Sequence, residues 1–147
     1  MDEFKNLDSL KPFFDTAYGF VVFGSVAKAG VGVGGAAGSG TVYVNNKNGT
    51  ETCVGISNLV QLSVGIQLGG QVFSEIIFFE TEKDFQAFTA GNFELGADAS
   101  VVVLTAHVNV DLHYSKGLAT FVTIQGGLMY EVSISGQKFT YTPSVKG

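Results

Sequence analysis

The chain has 147 residues, 46% hydrophobic and only 14% charged, with 20 glycines, no tryptophan and a net charge of −5. That length suits one domain with its own core, and no run approaches the roughly 20 apolar residues of a helical membrane span, so a soluble or membrane-peripheral protein is expected. All 8 basic residues are lysines; an acidic chain without arginine's bidentate fork lacks the electrostatic footprint of a nucleic-acid binder, and no nucleic-acid partner is expected.

Residues 2–17 read as helix, because Phe4, Leu7, Leu10, Phe14 and Ala17 recur at spacings of three and four and line one face. Pro12 suits the first turn of a second short helix, so two pieces hinged near Lys11 are expected. The opening MDEFKNLDSL has no basic or apolar leader region. The protein is therefore expected to stay where it is made, unless an export signal lies outside this chain.

From Tyr18 the pattern turns to strand. YGFVVFGSV is a β-branched and aromatic run, and GTVYVNNKNGTETCVGI holds two such runs around an Asn-Asn-Lys-Asn-Gly hairpin turn. Cys53 is the only cysteine, which excludes an internal disulfide and thiol metal clusters; its strand setting suggests a buried, inert thiol. SVGIQLGGQVFSEIIFFE reads as two strands broken by Gly69 and Gly70. TEKDFQAFTAG is the internal helix: Thr81 caps it, Asp84 completes a capping box, Gly91 closes it, and Phe85 and Phe88 anchor it to a sheet. ASVVVLTAHVNVDLHY, LATFVTIQ, LMYEVSIS and KFTYTP supply four further strands, with Gly126 and Gly127 between the second and third. Short strands, glycine turns and two helical regions point to a mainly β (α+β) fold, a single-domain antiparallel barrel or sandwich.

The stretch GVGVGGAAGSG invites a phosphate-loop reading. Gly30, Gly32 and Gly35 have dinucleotide-loop spacing, but no helix follows; Gly35 and Gly40 have triphosphate-loop spacing, but Thr41 stands where the lysine is needed. Gly30, Gly32, Gly34, Gly35, Gly38 and Gly40 are read instead as structural, through positive φ or close backbone packing. Ser25 and Lys28 match a Ser-x-x-Lys pattern without the other motifs of that enzyme class. His107, Asp111 and His113 alternate on one strand face and span too far to close on one ion, so no metal site is expected. The acids Glu75, Glu94, Asp98 and Glu131 lie on separate segments; of these, Asp98 is the one expected to be buried. No nucleophile–base pair is visible, and neither catalysis nor a cofactor is expected.

YGFVVFGSVAKAGVGVGGAAGSGTVY, SVGIQLGGQVFSEIIFF, GNFELGADASVVVLTA, YSKGL and GGLMYEVSISGQKFTYTP occur in that order. Together they resemble the SYLF domain, a module shared with yeast actin-regulating proteins and widespread in bacteria, with the bacterial branch the closer. The resemblance runs from Phe13 to Pro143. It implies a non-enzymatic domain that binds membrane lipids (phosphoinositides in the eukaryotic members), helped by an N-terminal amphipathic helix, with actin as a partner of some members. Bacterial members often carry an export signal, which would place the protein in the cell envelope. Two departures stand out. Gly24 stands where the family often has Pro, loosening a turn after the first strand, and residues 1–20 carry a net charge of about −2, too acidic for attraction by basic charge alone.

Residues 1–17 are thus expected to form a helical segment and 18–147 a SYLF-like β-rich domain. The expected function is peripheral binding of anionic phospholipids, with Lys5, Lys11, Phe13, Phe14 and Lys28 meeting the bilayer. The alternatives are a small barrel carrying one acyl chain and a protein-interaction module.

Overall fold

The computed structural model describes residues 4, 10–28, 36–46, 48–61, 73–91, 93–95, 101–103, 114–124 and 137–143. Helix α1 spans Lys11–Thr16 and is followed by strands β1 (Gly19–Lys28), β2 (Ala36–Asn45), β3 (Glu51–Gln61) and β4 (Phe73–Phe79). Helix α2 (Glu82–Thr89) precedes β5 (Phe93–Leu95), β6 (Val101–Val103), β7 (Leu118–Ile124) and β8 (Gln137–Pro143). All eight strands join one sheet in the order β5-β8-β3-β2-β1-β4-β7-β6.

That sheet is strongly curled. Neighbouring strands stand about 4.8 Å apart, so in a flat sheet β1 and β8 would be separated by about 14 Å and β4 and β5 by about 24 Å. Yet the rings of Phe23 on β1 and Phe139 on β8 meet at 5.6 Å, and those of Phe79 on β4 and Phe93 on β5 at 6.3 Å. The concave face therefore closes on itself around Val21, Phe23, Val42, Leu59, Ile77, Phe79, Val122 and Phe139. Helix α2 packs Phe85 and Phe88 into the same cluster. The expected mainly β fold holds, and of the two arrangements expected the single curled sheet is the barrel-like one and not a sandwich of two stacked sheets.

Period-two alternation puts the next residues on the convex face, where Phe20, Val22, Ile76, Phe78, Ala119 and Phe121 form a second cluster. Its cover is the N-terminal segment, through Phe4, Leu10, Phe13 and Ala17. Phe4, Leu10, Phe13 and Ala17 thus share a core with the sheet they precede.

Local chemistry explains the elements. Thr81 and Asp84 form the expected capping box: Thr81 Oγ1 accepts from the Asp84 amide at 3.2 Å, and the Asp84 carboxylate accepts from the Thr81 amide at 3.1 Å. Pro12 lies in the first turn of α1, where its missing N–H costs nothing. The β2–β3 hairpin closes where Asn46 N donates to Thr50 O at 3.0 Å. Before β7, Lys116 and Gly117 take φ of 54° and 80°. Two consecutive left-handed residues make the primed turn that suits strand twist. Amide–carbonyl bonds of 2.7 and 3.0 Å between Ser115 and Leu118 close it.

Several expectations are corrected. Strand β6 pairs parallel with β7, against an antiparallel reading throughout; the chain between them is long enough for the crossover a parallel pair needs. Strand β5, only three residues, has too short a pattern to read from sequence. Cys53 is exposed. A register shift pairs Val42 with Gly55 and Tyr43 with Cys53, turning Val54 toward the concave core in place of the cysteine. Gly24 ends no strand: β1 bulges between Phe23 and Val26 and continues.

Gly38 and Gly40 lie within β2 without positive φ, and at these two positions the backbone is closely packed. An added Cβ at Gly38 would stand 2.7 Å from Ser25 O, and one at Gly40 would stand 2.6 Å from both Val22 O and the Phe23 ring. Gly30, Gly32, Gly34, Gly35, Gly69, Gly70, Gly126 and Gly127 lie outside the described residues, as do Asp98, His107, Asp111, His113, Glu131 and the LMYEVSIS run.

Candidate functional site

Helix α1 is short, and neighbours hold it. Phe13 is 4% exposed and packs its ring on Phe78 at 5.4 Å, Tyr114 at 5.1 Å and Phe121 at 5.0 Å. Half-buried Phe14 meets Phe20 and Phe78 edge-on at 5.2 and 5.0 Å. The last turn of α1 leaves carbonyls without helical partners. Asn45, the final residue of β2, supplies them: its Nδ2 donates to Phe14 O at 2.6 Å and to Ala17 O at 2.9 Å. Thr16 Oγ1 donates to Pro12 O at 2.8 Å and shares a 3.1 Å hydrogen bond with the Tyr114 hydroxyl. Burial pushes the Tyr114 phenol up, keeping it protonated.

Where α1 meets the β2–β3 hairpin, a cleft of about 220 Å³ opens between Lys11, Phe14, Asp15 and Phe20 on one side and Gly49, Thr50 and Glu51 on the other. Its charged lining is one ammonium with two carboxylates. This mixed-charge, aromatic-floored cleft can take a small polar group that carries an apolar neighbour.

The residues expected to meet a bilayer are only partly together. Lys11 is exposed and adjoins Phe14 at the cleft. Phe13 is a core residue in this arrangement, because it sits on the α1 face turned to the sheet. Lys28 ends β1, eight residues along the strand from Phe20, which places its backbone about 26 Å from the Phe14 contact at ~3.3 Å per residue. Lys5 lies outside the described residues. Sequence reasoning missed Asn45, whose role depends on a strand end meeting a helix end 28 residues earlier; no local pattern signals such a meeting.

Among the described residues no three His, Cys, Asp or Glu side chains gather as metal ligands, and no helix is long and apolar enough to cross a membrane. Ser25 and Lys28 stand on strand β1, so the one-turn helical spacing that a Ser-x-x-Lys pair needs is absent. Of the sequence's candidate acids, Glu94 is exposed beside Lys138 at 3.8 Å, whereas Glu75 is buried on the concave face. The two do not converge.

Comparison with known proteins adds two findings. The family model Ysc84, described as Las17-binding protein actin regulator, matches residues 60–145. Beta cell expansion factor A of Aeromonas veronii is 32% identical over 136 residues, which is 92% of this chain and 50% of that protein. The chain thus spans about half the length of that curated relative.

Proposed function

This chain belongs to the Ysc84 (SYLF) family, and from that premise we propose that it is a non-catalytic peripheral lipid-binding domain that meets anionic phospholipids at the α1 seam. The observation that carries the reading is the exposed Lys11 beside half-buried Phe14 at the mouth of the 220 Å³ cleft. An ammonium supplies attraction of about 1 kcal/mol near an anionic surface, and the neighbouring ring supplies apolar contact at the headgroup level. Phe13 stays in the core during this contact.

Sedimentation with vesicles of phosphatidylglycerol and phosphatidylcholine tests it. Binding to the anionic vesicles at low salt, weakened by Lys11→Glu, is expected. No binding to either vesicle at low salt would refute the reading.

A second reading has one observation in its favour. Ile56 and Val60 are 52% and 46% exposed on the convex side of β3, and the family is described by its binding to a protein, Las17. A partner recovered without lipid and in detergent, and lost with Ile56→Lys, would support it. The acyl-carrier alternative fares less well, because the described part of the concave face is filled by its own rings.

A further inference from the structure

Glu75 has no part in the lipid contact proposed above. It sits on the concave side of β4, 0% exposed, and its Oε1 accepts a 2.9 Å hydrogen bond from Gln137 Nε2 on β8. Strands β4 and β8 are four steps apart in the sheet, a separation of about 19 Å if the sheet were flat. The hydrogen bond therefore exists only while the sheet is curled, and it ties together the two sides of the curl.

Among the described residues, the surroundings of Glu75 are neutral. Phe23 faces it from β1 and Val122 from β7. Helix α2 turns Phe85 and Phe88 to this face and leaves Glu82 and Lys83 at the surface. On β2 and β3 the concave positions are Gly40, Val42, Ser57 and Leu59. On β8, Lys138 points outward to Glu94. The second carboxyl oxygen, Oε2, has no hydrogen-bond partner among the described residues. Burial pushes the carboxyl up to about 7, and the Gln137 hydrogen bond lowers it only in part.

We propose that Glu75 and Gln137 form a proton-gated clasp: the sheet stays curled while Glu75 holds its proton, and β8 is released when that proton passes to solvent. The sign follows from linkage. The closed form binds the proton more tightly than an open form in which Glu75 reaches water. Closure is therefore favoured most below the ordinary glutamate value of 4.5. The closed-to-open ratio falls about tenfold per pH unit as pH rises toward 7 and is level above it. Release of β8, with β5 paired to it, uncovers Phe139 and Phe93 and the Phe23 ring beneath them.

The test uses the 147-residue chain and two readouts. Carbon-13 NMR of the Glu75 side-chain carboxyl is expected to titrate near 7, and a midpoint near 4.5 overturns the clasp. Hydrogen exchange of β8 amides, corrected for the intrinsic pH dependence of exchange, is expected to show protection falling about tenfold per unit between pH 5 and 7. In Glu75→Gln, which keeps an acceptor oxygen but cannot titrate, that slope is expected to vanish. A pH-independent wild-type protection, the same slope in Glu75→Gln, or loss of β8 protection in step with α2 and β1 overturns the proposal. If Glu75→Gln does not fold, the wild-type carboxyl titration and exchange slope decide alone.

Discussion

Gly40→Ala gives the sharpest test of how this sheet is built. In an ordinary strand the change is favourable, because alanine reduces the freedom of the unfolded chain by about 0.4–1 kcal/mol. At position 40 the new methyl group would stand 2.6 Å from Val22 O and 2.6 Å from the Phe23 ring. Ordinary van der Waals contact needs nearly 1 Å more, and the carbonyl belongs to the paired strand β1. Phe23 cannot swing away either, since its ring packs on Phe139 across the curl at 5.6 Å. Overpacking of this kind costs about 1–3 kcal/mol, so a net loss of about 1–2 kcal/mol is expected. Equilibrium urea unfolding would read this as a midpoint roughly half a molar lower. Gly24→Ala is the control: nothing lies within 4 Å of its Cβ position and its φ is not left-handed, so neutral or slightly stabilising behaviour is expected. If Gly40→Ala is as stable as the parent, the close approach of β1 and β2 is not what requires this glycine.

Gly117→Ala forces a Cβ onto a residue with φ of 80° and against the Asp84 carboxylate; a loss of about 1–2 kcal/mol is expected from the left-handed conformation alone, read by thermal unfolding. Asn45→Ala removes the donor to Phe14 O and Ala17 O and is expected to cost about 1–3 kcal/mol, with limited proteolysis cutting first near α1; unchanged protease resistance would count against the clamp. Phe13→Ala opens a hole among Phe78, Phe121 and Tyr114, with an expected cost of about 3–5 kcal/mol by urea unfolding. A loss under 1 kcal/mol would mean that Phe13 is not held in the core.

Elements specified by neighbours in sequence were legible, and those specified across space were not. Helix α2 was readable to its cap because Thr81, Asp84, Phe85 and Phe88 carry the whole signal within eight residues. The β2–β3 hairpin was readable for the same reason. Cys53 was misread because alternation is counted from an unbroken strand, and the register shift beside Val42 inverts it. The parallel β6–β7 pair and the curl depend on which strands meet, which periodicity does not encode. Glu75 could be picked out as a lone acid in the apolar run FSEIIFF, but its partner on β8 is 62 residues away. At the α1 seam, Lys11 and Phe14 were read as near neighbours on one segment, and both line the same cleft. Phe13 was misassigned because a helix of six residues gives too little periodicity to choose which of two adjacent phenylalanines faces inward.

That choice between Phe13 and Phe14 decides how a membrane can be met. An isolated six-residue helix has no stability in water, so α1 takes its order from Phe78, Phe121 and the Asn45 clamp. Peeling it off to insert Phe13 would uncover Phe20, Phe78 and Phe121, each 0–1% exposed while α1 is seated. At about 1.5–3 kcal/mol for each buried aromatic side chain, that is roughly 5–9 kcal/mol. One lysine returns about 1 kcal/mol at an anionic surface, and the Asp15 and Glu51 carboxylates lining the same cleft offset that attraction by repulsion. Insertion by detachment therefore requires the bilayer to cover the whole convex face at once. Contact with α1 seated uncovers nothing. The proposed lipid contact is accordingly weak, reversible and salt-sensitive, and it runs through Lys11 and Phe14 while Phe13 remains where the sheet holds it.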